Sequence, residues 1–200
     1  KMTKAKTGSA DILSKSEVKR VLEYLSTTTY PTRNTAIFLM SFLAGMRSVE
    51  ISRIEWKDVC SANGEIGDTI QITKKTSKGG YGSRSLKLHS DLKSALISYK
   101  EEQENFDLNQ KIFSSQRSKD GISSRVIINM FRIWYDRCGL PLASSHSGRR
   151  TFATQIARNL SRYGASIRDL SMVLGHSNIR TTSRYIEPNK LGMTKLIEGL

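Results

Sequence analysis

What most constrains this chain is a succession of apolar residues at helical spacing, most runs opened by a capping residue and closed by glycine or proline. Ser14 with Glu17 makes a capping box ahead of Val18, Val21, Leu22 and Leu25, and the Thr27–Thr29 run breaks the period. A second helix opens near Pro31 and Thr32, carries Ala36, Ile37, Leu39, Met40 and Leu43, and stops at Gly45; its density of apolar residues predicts a buried core helix. A short helical stretch follows around Val49 to Ile54. Strand alternation is confined to Thr69–Lys75 and Ser83–Leu88, on either side of the Gly-rich turn Lys78–Gly82, which predicts one β-hairpin. Helical patterning then resumes. Ser90 and Asp91 cap Leu92 to Gln103, Ser123 or Ser124 caps Val126 to Cys138, and a helix runs from His146 to Arg162 ahead of Gly164. Ser166 with Asp169 boxes a short helix stopping at Gly175, and Ser177 caps another through Ile186, ended by Pro188. The expected class is mainly α with a small antiparallel β-sheet (α+β).

Two hundred residues suit one compact domain, taken as 11–200, with the small, basic residues 1–10 as a flexible lead-in or linker stub. Because Lys1 precedes Met2, the chain is expected to be a fragment of a longer protein. The formal net charge of +14 points to a polyanionic partner, with solubility by self-repulsion and an anionic membrane surface as the blander readings. The longest apolar stretch, Ala36 to Ala44, is interrupted by Ser41 and falls well short of the roughly 20 residues that span a bilayer. No signal peptide is read at the N-terminus. Cys60 and Cys138, neither in a CxxC arrangement, argue against a disulfide framework or structural zinc and for a reducing, cytoplasmic setting.

Three strings exceed what packing requires: AGMRSVEIS (Ala44 to Ser52), SHSGRRTFAT (Ser145 to Thr154) and LGHSNIRTTSRYI (Leu174 to Ile186). In the first, Arg47 follows a helix-terminating glycine, with Glu50 one turn on to orient or neutralise it. In the second, His146 and Arg149 share a face at a helix start, where free backbone amides already favour an anion. In the third, His176 follows a helix-ending glycine and Tyr185 lies beyond the next cap. Singly, each is weak: Arg47 with Glu50 reads as a surface ion pair, HxxR as capping and solvated charge, and a helical tyrosine as packing.

Together, in this order and spacing, the strings resemble the catalytic domain of the tyrosine recombinases, the phage integrase family. The resemblance runs from Ser14 to Tyr185 and implies an integrase-like DNA breaking and rejoining domain. It places Arg47, a hairpin lysine, His146, Arg149, His176 and Tyr185 in the active site, with Glu50 in support. Among the hairpin lysines, Lys78 in TSKGG matches the family's turn position best, and Lys75 is the runner-up. Two positions depart from the family pattern: Gly148 stands where leucine is usual, and Arg150 where histidine is frequent.

These residue types suit attack on a DNA phosphodiester. Arg47 and Arg149 can hold nonbridging oxygens that gather charge in a pentacoordinate transition state. A phenol with a pKa near 10 is ionised in about one molecule per thousand at pH 7, a shortfall of roughly 4 kcal/mol that His146 as general base would reduce for Tyr185. Lys78 would protonate the leaving 5′ oxygen, and His176 would hydrogen-bond a nonbridging oxygen. The resemblance implies a 3′-phosphotyrosyl link and a free 5′ hydroxyl, with no cofactor and no metal. SKGGYG lacks the GxxxxGK[ST] spacing of a nucleotide cradle, and the histidines His89, His146 and His176 are scattered.

The remaining basic residues are candidates for the DNA groove: Lys74, Lys75, Arg84 and Lys87 on the hairpin, with Arg125, Arg132, Arg150, Arg180 and Arg184 on helices. The implied partners are double-stranded recombination sites and, on DNA, a homotetramer of chains that are monomers in isolation. An N-terminal core-binding domain, absent from this chain, would complete a clamp on the duplex. Residues 189–200 would dock on a neighbouring protomer or pack on their own domain. The competing functions are type IB topoisomerase-like relaxation, a non-catalytic DNA-binding module, and a basic membrane-surface protein.

Overall fold

The helix that the sequence marks as core, α2 (Pro31–Leu43), is the axis of the molecule, with Ala36, Ile37, Phe38 and Met40 wholly buried. A computed structural model describes residues 10–77, 83–114, 121–186 and 198. Against α2 pack α1 (Lys15–Ser26), α4 (Ser90–Glu101) and α6 (Ser147–Asn159). Two elements, α3 (Ser48–Ile51) and α5 (Ser124–Arg137), lie against each other, and α5 also meets α1. Phe38 of α2 meets Phe131 of α5 at a ring separation of 6.4 Å, and Phe131 in turn meets Trp134 at 5.3 Å. A second aromatic group, Trp56, Tyr99, Phe106 and Phe113, closes the other end of the same core.

The sheet is one antiparallel pair, β1 (Thr69–Ile72) and β2 (Arg84–Lys87), with Ile70 opposite Leu86 and Ile72 opposite Arg84. Ile70, Ile72 and Leu86 face the core. The first strand is shorter than its alternation predicts, because Thr73 turns the chain: its carbonyl accepts from the Thr76 and Ser77 amides at 3.1 and 2.9 Å. The turn Lys78–Gly82 lies outside the described residues, as do residues 1–9 of the lead-in and, apart from Glu198, the segment 189–200.

The C-terminal part is built from α6, a 3₁₀ turn (Ser161–Tyr163), α7 (Ile167–Leu174) and α8 (Ile179–Ser183). The Ser166–Asp169 capping box and the left-handed Gly175 bound α7 as expected. Several ends differ from the sequence reading. Helix α6 gives way after Asn159 to the 3₁₀ turn, which Gly164 closes. The N-cap of α4 is His89, whose Nδ1 accepts from the Asp91 amide at 3.2 Å. Helix α8 is capped by Asn178, whose side chain accepts from the Arg180 amide at 2.9 Å, and it ends before Tyr185. An Asn side chain two residues before the amide forms the tighter local turn, so Ser177 is bypassed.

Candidate functional site

A cleft of about 700 Å³ opens where the start of α6 faces the end of α2 and the α7–α8 connection, and Arg47, His146, Arg149, His176 and Tyr185 all line it. Five of the six residues expected to do chemistry therefore share one concave surface. The sixth, Lys78, lies outside the described residues. The runner-up, Lys75, is exposed and its ammonium stands 3.0 Å from Glu55 Oε1.

Gly45, with φ of +60°, ends the approach from α2, and a Cβ there would collide with the Phe152 ring. Arg47 is thereby delivered as N-cap of α3, where its backbone amide donates to Glu50 Oε2 at 2.8 Å and its Nη1 donates to Oε1 at 3.2 Å. Its side chain keeps 22% exposure towards the cleft, whereas Glu50 has none. Burial pushes the Glu50 carboxyl upward, but hydrogen bonds and charge from Arg84, the Arg47 amide and nearby Arg149 outweigh it and hold the group below its ordinary value.

Arg149, in the first turn of α6, is buried and fixed from two sides. Its Nη1 donates to the Gly45 carbonyl, while Nη2 donates to the Leu174 carbonyl at 2.7 Å and lies 3.0 Å from His176 Nε2. The guanidinium thus joins α2 to α7 at the back of the cleft. Burial and the adjacent Arg47 charge push its pKa down. The departure at Gly148 has a structural reason: a Cβ there would lie 2.6 Å from Ser41 Oγ and 3.2 Å from the Phe42 amide, so glycine lets α6 close on α2.

His176 is held between Arg149 and Thr182. Arginine only donates, so Nε2 accepts from it, and Nδ1 carries the proton and donates to Thr182 Oγ1 at 2.8 Å. Burial, then the charges of Arg149, Arg47 and Arg84, push the imidazole down to about 4. It is neutral at pH 7. The Tyr185 ring lies parallel to His176 at 6.2 Å and packs on a small core of Ala153, Leu170 and Leu174.

The expected groove residues separate into groups. Arg150 and Arg184 line the cleft, and Arg150 Nε and Nη1 are buried with no hydrogen-bond partner among the described residues. Lys74, Lys87, Arg125, Arg132 and Arg180 are exposed and are not walls of the cleft. Arg84 turns inward: its side chain is 7% exposed and its Nη1 and Nη2 grip Glu50 at 3.1 and 3.0 Å, and it lines a neighbouring hollow with Gly175 and His176 rather than the cleft itself. A basic hairpin residue at strand spacing carries no signal of that inward turn. Nor does the sequence mark Thr182, whose hydroxyl takes the proton of His176 Nδ1 in a hydrogen bond.

The family model for the phage integrase family matches residues 11–191, and the chain belongs to that family. It is 28% identical to a tyrosine recombinase XerA of Thermococcus onnurineus (strain NA1), over 94% of this chain and 64% of the relative. To a tyrosine recombinase XerC of Rickettsia prowazekii (strain Madrid E) it is 26% identical, over 85% of the chain and 52% of that protein. The chain thus spans between half and two thirds of the length of these relatives. Among solved structures, a XerA recombinase superposes with a TM-score of 0.70 at 25% identity, over 96% of this chain and 65% of that one. The Tn1549 transposon integrase in complex with circular intermediate DNA superposes with a TM-score of 0.76 at 16% identity, over 98% of this chain and 69% of that one, which speaks to the fold alone.

Proposed function

We propose that this chain is the catalytic part of a site-specific DNA recombinase that cuts and rejoins DNA through Tyr185. The observation that carries the reading is the convergence of two arginines, two histidines and this tyrosine on one cleft. Arg47 and Arg149 hold the nonbridging oxygens of the scissile phosphate, where positive charge already fixed in place stabilises the charge that develops. The Tyr185 oxygen attacks phosphorus, its proton passing to His146, and the bond from phosphorus to the 5′ oxygen breaks. Lys78 supplies the proton that the leaving oxygen takes up. The product is a 3′-phosphotyrosyl link with a free 5′ hydroxyl, and a 5′ hydroxyl from another strand reverses the step.

Arg150 and Arg184 extend the basic surface from the cleft along the duplex, with Lys74, Lys75, Lys87, Arg125, Arg132 and Arg180 as outer phosphate contacts whose affinity falls with salt. The partners are double-stranded recombination sites, held by four protomers, with a core-binding domain completing the clamp and residues 189–200 docking on a neighbouring protomer or packing on their own domain. Membership of the integrase family, among whose relatives are proteins named XerA and XerC, favours strand exchange over simple relaxation.

A nicked duplex carrying the site, incubated without magnesium, is expected to yield a protein–DNA adduct that survives denaturation, and Tyr185→Phe to abolish it. Adduct formation by Tyr185→Phe would remove Tyr185 as nucleophile. Salt-sensitive binding with no cleavage by the unaltered chain would leave a DNA-binding module. Plasmid relaxation without exchange between two sites would favour a topoisomerase.

A further inference from the structure

Glu50 is a carboxylate with no solvent exposure, surrounded by three guanidinium groups. Arg84 binds it in a fork, Arg47 Nη1 lies 3.2 Å from Oε1, and Arg149 Nη1 lies 4.0 Å from Oε2. Arg47 and Arg149 line the cleft; Arg84 does not. Instead it crosses from β2 over Gly175, where an added Cβ would come within 2.7 Å of Arg84 Nη1. One negative charge therefore faces three positive ones, and only the arginine outside the cleft makes the two-point contact. A buried carboxylate deprived of its partner draws on the next nearest cations, which here are the two arginines that face the cleft.

We propose that Arg84 is a positioning residue: by occupying both oxygens of Glu50 it limits Arg47 to one side-chain contact there and leaves the remaining donors of Arg47, and the charge of Arg149, to an anion in the cleft. The inference rests on the reading that the cleft receives a DNA phosphate. Glu50 then has two separable duties. Through Oε2 it caps the Arg47 amide, which places the arginine, and its charge is absorbed largely by Arg84, which limits the Arg47 guanidinium to a single Nη1 contact.

The test is a double-mutant cycle on the chain as it stands, comparing Arg84→Met, Glu50→Gln and the pair. Methionine keeps an apolar stem over Gly175, and glutamine keeps an acceptor for the Arg47 amide without the charge. Arg84→Met is expected to slow adduct formation by about 100-fold, the scale of a catalytic group displaced by an ångström or so. Adding Glu50→Gln is expected to restore about tenfold, as for directly coupled neighbours. A duplex with a neutral methylphosphonate at the scissile position, which asks less of the guanidinium charge, is expected to shrink the Arg84→Met defect to a few-fold.

Inorganic phosphate provides a readout independent of chemistry: calorimetry is expected to show weaker binding to Arg84→Met and recovery in the double variant. That arm distinguishes the two readings. Absence of an adduct with the unaltered chain would count against the proposed function, while the phosphate pattern would still support or overturn the role of Arg84. Arg84→Lys, whose single ammonium cannot span both carboxylate oxygens, is expected to fall between wild type and Arg84→Met. A merely structural arginine would slow both substrates equally and gain nothing from Glu50→Gln, and either that pattern or unchanged rates and phosphate affinity in Arg84→Met would overturn the proposal.

Discussion

The two sides of the cleft are built to different standards. Arg47 and Glu50 stand on α3, which is seated by Ile51 on the main core that also contains α2, α5 and the aromatic group around Trp56. Tyr185 stands on a satellite core whose fully buried members are Ala153, Leu170 and Leu174, beyond the last residue of a five-residue helix. Arg149 ties one side to the other through the Gly45 and Leu174 carbonyls. The difference is a division of labour: the Arg47 charge is held on the large core, and Tyr185, the proposed nucleophile, is carried on a small one. Elements with few buried apolar contacts open first, so the tyrosine side is the one expected to move more readily.

The comparison breaks most visibly at Leu174. Leu174→Ala removes a fully buried side chain from the satellite core, a loss of about 2–5 kcal/mol. Hydrogen exchange is expected to show faster opening of α7 and α8 with α2 and α5 little changed; uniform acceleration across all four would mean a single cooperative core. Next is Arg149→Lys, which retains charge but not the fork that spans two carbonyls. It is expected to slow adduct formation by about 10²–10³-fold, and a near-normal rate would show that the link between the two sides is dispensable.

Gly148→Ala sharpens the contrast on the rigid side. Its Cβ would meet Ser41 Oγ at 2.6 Å, and overpacking of this kind lowers global stability by about 1–3 kcal/mol. Thermal unfolding checks this, and a neutral or stabilising result would mean that α6 and α2 are less closely apposed. An effect confined to acid pH belongs to His176. In the unfolded chain its imidazole protonates near 6.5, and in the folded protein only near 4. Between those values the unfolded state binds more protons, so stability falls as pH drops from about 6.5 towards 4. His176→Gln is expected to flatten that part of the stability curve, and an unchanged slope would assign it to other groups.

Much of the fold is legible locally. Ser14 with Glu17, Ser123, and Ser166 with Asp169 cap the helices they were expected to cap, because a capping side chain bonds an amide two or three residues away and needs no distant partner. Ends decided by competition between neighbours were less legible, as with Asn178 displacing Ser177. The site divides in the same way. Arg47, His146, Arg149, His176 and Tyr185 are recognisable from strings whose order carries them, whereas the inward turn of Arg84 follows from Glu50, thirty-four positions earlier in the chain. The reason for Gly148 likewise sits on another helix, at Ser41.

By itself, the order of residues determined the helical class, the position of the hairpin, the basic charge and the five side chains that line the cleft, since each depends on spacing or composition within a few turns. Only the tertiary structure decided which cations face the cleft and which neutralises Glu50. It also decided which nitrogen of His176 bears its proton and which core supports the tyrosine. Those outcomes depend on burial and on partners brought together from distant parts of the chain, where removal from water makes each unpaired charge or donor seek the nearest complement.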